Sequence, residues 1–270
     1  MPEVREPAVA GQFYPGSERQ LRQVVQHFLA APPTEPTRAI GIIAPHAGYV
    51  YSGAVAGAVY SHIQIPARAI VLCPNHTGYG APLAIMSEGS FRTPLGEIAI
   101  DHELAEKLKA GFPLLREDST AQLREHAIEV QLPFLQSLRA DLRFVPITVG
   151  IGQIEPLSAL GVVMAKVISE LGEPVLIVAS SDMNHYESDE QTRIKDAMAI
   201  EQVLSLQPKG LFETVCSQNI SMCGVGPAVA MLTAALRLGA TKAELIKYAT
   251  SGDVSGDHEH VVGYAGVVVR

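Results

Sequence analysis

The sequence predicts an α/β fold. We expect one single-domain α/β sandwich over residues 1–270, with a mostly parallel central sheet and an inserted hairpin. Three observations carry this expectation. Near-continuous apolar runs of strand length recur along the chain, without the polar alternation of a half-exposed sheet. Segments with helical apolar spacing lie between them. One stretch, 81–101, breaks the rhythm with short β-like runs and closely spaced turn residues.

The elements follow in chain order. "SERQLRQVVQHFLA" (17–30) predicts a helix: Ser17 is an N-cap type, and Leu21, Val24, Val25, Phe28 and Leu29 share a face. "APPTEPTR" (31–38) reads as a surface loop. Residues 39–44 and 69–73 predict buried strands. In 81–101, Gly89 and Pro94–Gly96 supply turns, so this stretch predicts an antiparallel hairpin inserted in the sheet. "DHELAEKLKAG" (101–111) predicts a helix with an Asp cap. "EHAIEVQLPFLQSL" (125–138) predicts another, with a kink or boundary at Pro133 and with Glu125 and Glu129 on one face. Strands are expected at 143–149, 174–179 and 261–269, and helices at 155–172, 187–206 and 224–239.

Bulk properties narrow the function. The chain is 47% hydrophobic and 18% charged, with no Trp, as in a compact globule. A net charge of −8 and a pI near 5.6 argue against nucleic acid or an anionic membrane as partner. No apolar stretch approaches the roughly 20 residues of a membrane helix. The start, "MPEVREPAVAG", lacks a basic-then-apolar leader pattern. Three cysteines without a CxxC make a disulfide framework unexpected, and the expected compartment is the cytoplasm.

Polar residues just past buried strands suggest where chemistry occurs, because ligands of open α/β sheets collect beyond the strands' carboxyl ends. "PHAGY" follows the strand at 39–44 and "PNHTGY" follows that at 69–73, placing His46 and then Asn75 and His76 there. Ser180, Ser181, Asp182, Asn184 and His185 follow 174–179. If these strands are parallel, three histidines and an aspartate meet on one rim. Cys223 stands just before a helix start, where a thiolate is favoured. It reads as a metal ligand, a reactive thiol or an inert packed thiol, and spacing does not choose among them. Glu125 and His126 are a further candidate pair, with helix capping as the plain explanation of the carboxylate. Cys73 and Cys216 are expected to pack. His27, His62 and His102 are assigned no role, and His258 and His260 read as a solvated loop. "GVGPA" lacks the lysine of a phosphate loop. Two histidines with one anionic ligand leave coordination positions open, as in non-haem Fe(II) oxygenases, and a nearby unligated histidine can carry protons.

Eight segments, in order, resemble the Memo family, whose prokaryotic members are called AmmeMemoRadiSam system protein B. They are "REPAVAGQFYPG", "APHAGYVYSG", "CPNHTGYG", "FRTPLGEIAID", "EHAIEVQLPFLQ", "SSDMNHY", "SMCGVGP" and "YATSGDVSGD". That family is similar in fold to the class III extradiol dioxygenases, which hold Fe(II) with two His and a Glu. The resemblance implies that His46 and His76 are metal ligands and that Cys223 takes the third position. It implies that His185 is the acid/base group with Asp182 beside it, and that Glu125 and His126 lie near the pocket. Tyr49, Tyr51, Tyr79, Asn75 and Ser181 are expected to line it. Fe(II) is the first expected cofactor, with Cu and Zn as alternatives. A thiolate softens the site and opens it to oxidation. The expected function is a metal-dependent redox protein acting with AMMECR1-like and radical SAM partners, and a homo-oligomer is a further expectation. The alternative is a non-enzymatic binding or metal-handling module using the old pocket for a small molecule or peptide.

Overall fold

The structure is a computed structural model that describes residues 3–29 and 35–270. Its elements are β1 (Val4–Arg5), α1 (Glu18–Phe28), β2 (Gly41–Ala44), α2 (Tyr49–Ser61), β3 (Arg68–Pro74), β4 (Leu83–Ile85), β5 (Ser90–Thr93), β6 (Gly96–Ala99), α3 (His102–Gly111) and β7 (Arg116–Glu117). There follow a 3-10 turn (Glu129–Gln131), α4 (Leu132–Leu138), β8 (Arg143–Val149), α5 (Ile154–Leu171), β9 (Val175–Ser180) and β10 (His185–Glu187). The chain continues through α6 (Asp189–Leu204), α7 (Pro208–Ser217), α8 (Val225–Arg237), β11 (Ala243–Thr250), α9 (Gly252–Ser255) and β12 (Val261–Val269). Ala30 of the first predicted helix and residues 31–34 of the predicted loop lie outside the described residues.

The α/β architecture is as expected, with one refinement. The main sheet runs β10-β12-β2-β9-β3-β8-β4-β7, with β11 paired to the other edge of β12. Its centre, β2-β9-β3-β8, is parallel. Antiparallel strands extend it on both sides: β12 on β2, and β4 on β8. The sheet is therefore mixed, and the parallel part is its heart. Side chains alternate between two apolar layers: Ile43, Ile70, Leu72 and Ile177 enter one, and Ile42, Val71, Leu176 and Val178 the other. Helices cover both layers, which is why these strands read as unbroken apolar runs.

The hairpin is present but not in the main sheet. β5 and β6 pair antiparallel, and β5 takes β1 as a parallel neighbour in a separate three-stranded sheet. β4, the first run of the 81–101 stretch, joins the main sheet as a strand, and Ile100 adds a single bridge to Phe144 of β8. This places the N-terminal segment against the molecule's body, a contact that matters below.

Three local expectations need correction. The predicted helix at 125–138 begins at Leu132, with Pro133 in its first turn, where a missing N–H costs nothing. Glu125 and Glu129 precede it and face different partners, so they are not a helix-face pair. Cys216 is exposed at the end of α7 rather than packed. The turn after His46 is followed at once by a helix that the sequence reading passed over, α2. That helix is buried on most sides. Its glycines admit α1: a Cβ on Gly53 would sit 2.3 Å from the Phe28 ring, and one on Gly57 2.5 Å from Phe28 Cβ.

Candidate metal centre

Because β2, β9 and β3 are parallel neighbours, with Ala44 opposite Ser180 and Leu72 opposite Ala179, their carboxyl ends open on one rim. Pro45 and His46 leave β2 there, Asn75 and His76 leave β3, and Ser181 and Asp182 leave β9. The turn before α8 brings Cys223 to the same place. Its position is set by Ser181, whose Oγ accepts the Gly224 N–H at 3.0 Å. Only glycine fits at 224, since a Cβ would lie 2.4 Å from Ser180 O.

One nitrogen each of His46 and His76 and the Cys223 sulfur lie within 4.8 Å of one another. His46 Nε2 is 3.3 Å from Cys223 Sγ, and Sγ also accepts the Asp182 N–H at 3.3 Å. The rear nitrogen of each ring is occupied. His46 Nδ1 is 2.9 Å from Ser180 Oγ, and His76 Nδ1 is 2.9 Å from Glu125 Oε1. Glu125 Oε2 accepts the His76 backbone N–H at 2.7 Å, and Oε1 accepts the Ala127 N–H at 3.0 Å. The carboxylate thus backs His76 rather than capping a helix or facing the cluster. A carboxylate behind a ligand histidine fixes ring and tautomer.

The other sequence candidates fall into distinct places. His126 stacks on His76 with centroids 4.8 Å apart, and Phe13 packs edge-on against it. His76, Glu125 and His126 form a second group with donor spacing. Asp182 Oδ1 accepts the His46 N–H at 2.7 Å, so it holds the His46 turn and makes no hydrogen bond to His185. His185 is held by Ser221, donating its N–H to Oγ at 2.8 Å with Nδ1 2.9 Å from Ser221 O. Asn75 shapes its own turn, accepting from Thr77 Oγ1 and Gly78 N and donating to Tyr79 O. Tyr51 and Tyr79 are exposed. Tyr49 is buried against Phe134, and its hydroxyl donates to Val130 O at 2.7 Å, so it belongs to the core and not to the rim. Ser180, Gln131 and Ser221 support the centre; the sequence reading named Ser180 among the polar residues past its strand without a role, and did not single out Gln131 or Ser221.

Electrostatics sort the groups. Burial, reinforced by the His126 and His76 charges, pushes His46 well below the ordinary imidazole value, so it is neutral. Burial also lowers His76, but the Glu125 hydrogen bond and charge outweigh it and raise that ring overall. Burial would raise Glu125, yet His76 and the Ala127 N–H hold it at about 2. Burial and the Asp182 charge push the Cys223 thiol up. A thiolate there needs a cation, and a metal ion supplies one while deprotonating the sulfur. Two imidazole nitrogens and one sulfur, with the rear nitrogen of each ring engaged, fit a transition metal.

Known proteins give the chain's family. The family model for Memo-like protein matches residues 5–268. The chain belongs to the Memo-like family. A MEMO1 family protein of Methanopyrus kandleri is 43% identical, covering 98% of this chain and 99% of that protein. One from Methanocaldococcus jannaschii is 41% identical over the full length of both. In structure, an uncharacterized protein of Escherichia coli K12 covers 86% of this Memo-like chain and 100% of its own, with a TM-score of 0.52 and 12% identity. That likeness concerns the fold alone.

Glu125→Gln offers a direct check of the backing carboxylate. Gln keeps the shape but not the charge that pins His76 Nδ1–H. Metal affinity is expected to fall about 10–100-fold, the usual cost of losing such a partner. Chelator competition on the purified variant measures it, and unchanged affinity would show that Glu125 is only structural.

Proposed function

We propose that this Memo-like chain is a metal-dependent redox protein whose ion is held by His46, His76 and Cys223. Fe(II) is the first choice, and Cu and Zn are the alternatives for a mixed imidazole–thiolate set. The supporting observation is the convergence of three donor atoms within 4.8 Å, two of them on rings whose other nitrogen is already engaged. Bound there, iron or copper would supply electron transfer, and any of the three ions would offer open coordination positions for a substrate.

The chain's own groups do the rest. Asp182 holds the His46 backbone, and its N–H reaches the Cys223 sulfur. His185 presents Nδ1 to a carbonyl that can only accept, so Nδ1 carries the proton and Nε2 is free to take one. AMMECR1-like and radical SAM proteins are proposed partners on family resemblance. Among the described residues, no helix is long and apolar enough to cross a membrane.

A second reading, metal handling without turnover, is favoured by the second donor group His76, Glu125 and His126. Anaerobic purification followed by metal analysis tests the site. About one ion per chain is expected, lost in His46→Ala/His76→Ala. Wild-type metal content in the double variant would refute the ligand set. Reduced, loaded protein that consumes O2 supports the redox reading. Rapid transfer of metal to a chelator without O2 uptake supports handling.

A further inference from the structure

The contact between His46 Nδ1 and Ser180 Oγ leaves the imidazole tautomer open when taken alone, since each group donates or accepts. The surroundings close it. Ala127 O is buried, and among the described residues its hydrogen-bond donor is Ser180 Oγ, at 2.7 Å. A carbonyl only accepts, so it takes the one hydroxyl proton. Gln131 Nε2 lies 2.8 Å from the same Oγ and 2.9 Å from Pro45 O. Pro45 O can only accept, so the NH2 end of the amide must point this way. The other end, Oε1, takes the Tyr60 hydroxyl at 2.9 Å. Gln131 therefore donates to Ser180. With its proton on Ala127 O and one lone pair on Gln131, Ser180 Oγ has a single lone pair left. Towards His46 it can only accept.

We propose that Ser180 is a positioning residue that, held by Gln131 and Ala127, locks His46 as the Nδ1–H tautomer. Nε2 is then always the lone-pair nitrogen facing Cys223. The other tautomer would turn an N–H towards the sulfur and block a bond to an ion. The lock redistributes one proton within a neutral ring and involves no titration. Its far end is anchored in the core, where buried Tyr60 stacks on Phe134 at 5.3 Å and 11°. The 3-10 turn before α4 gains a purpose: it delivers Gln131 to the end of β9. The inference rests on the metal reading for its purpose but not for its test, because the tautomer exists in metal-free protein.

The test is long-range 15N–1H correlation NMR of metal-free, histidine-labelled protein at fixed pH. Wild type is expected to show His46 as Nδ1–H. Gln131→Leu, which touches no imidazole, removes one of the two contacts that hold the serine but leaves Ala127 O to take its proton, so Nδ1–H is expected to remain the main tautomer. Ser180→Ala removes the acceptor, mixes the tautomers, and lowers metal affinity about 10–100-fold in chelator competition. Matching circular dichroism keeps unfolding out of the comparison. An Nε2–H His46 in wild type overturns the lock. So does Ser180→Ala with wild-type tautomer and affinity. If the tautomers shift as expected but wild type binds no metal, the lock stands and the metal reading fails.

Discussion

Cys223→Ser is expected to lose metal binding while keeping the fold. Serine is nearly isosteric, and its Oγ still accepts the Asp182 N–H that now reaches sulfur. It does not ionise as a thiol does, and it is a harder donor. Removing a ligand should cost more than the ~10–100-fold lost with an outer-shell partner, so affinity is expected to drop by at least about 100-fold. The pH dependence gives a second readout. In wild type the ion must displace the Cys223 thiol proton, held tightly because burial and the Asp182 charge raise that group. It must also displace any proton on His76, which Glu125 raises against burial. A raised pKa means the proton competes well, so affinity increases with pH and is weakest in acid. Without the thiol, about one fewer proton is released, and the slope of log affinity against pH falls by about one between roughly pH 6 and pH 8. Anaerobic chelator competition across that range measures both quantities. Wild-type affinity with an unchanged slope would remove Cys223 from the centre.

The proposed ligands of that centre were legible because of where they stand, not what they are. His46 and His76 follow unbroken apolar strands, and burial on both faces makes such strands readable. The third proposed ligand was not chosen by spacing. Cys223 sits 177 residues from His46 in sequence and reaches it only through the start of α8. The supporting polar groups were harder still. Ser180 looked like any strand-end serine, and Gln131 meets it from 49 residues away. Nothing in "EVQLP" announces that its glutamine supports the serine behind another strand's histidine.

The fold shows the same division. β2, β3, β9 and β12 announced themselves, whereas β11 did not: "AELIKYAT" is a half-exposed edge strand, with charges at Glu244 and Lys247 breaking the apolar run. α2 was missed for the opposite reason. "YVYSGAVAGAVYS" is apolar nearly all round and rich in Gly and Val, so it has neither helical periodicity nor helical propensity. Its helix is imposed by packing between Phe28 and the sheet. That error also misplaced Tyr49, which opens the helix pointing into the core.

The N-terminal segment should prove as important to stability as Cys223 is to chemistry. Arg5 and Glu129 are both buried and paired through Nη1 and Oε2. Arg5 Nε also donates to Gln122 O at 3.0 Å and Nη2 to Glu125 O, with the guanidinium 5.1 Å over the Phe91 ring. Glu129 accepts Ala8 N–H at 2.7 Å, Val9 N–H at 3.1 Å and the Tyr14 hydroxyl. Burial and the Glu129 charge push that hydroxyl up, so it remains a donor. Removing one partner strands a buried charge. Arg5→Met and Glu129→Gln are each expected to cost about 3–5 kcal/mol, a large share of a typical domain's stability. Removing both leaves no orphan charge, so the double variant should be less destabilised than the sum of the singles by at least about 1 kcal/mol. Urea denaturation of metal-free protein at one pH supplies all the values. Single variants within about 1 kcal/mol of wild type, or strict additivity, would mean the pair is not an isolated buried charge couple. Metal affinity separates the two singles. Arg5→Met releases the Glu125 carbonyl and with it the residue that backs His76, whereas Glu129→Gln leaves that hydrogen bond in place. Weaker metal binding in the folded arginine variant, but not in the folded glutamine variant, would tie the N-terminal strap to the centre through Glu125.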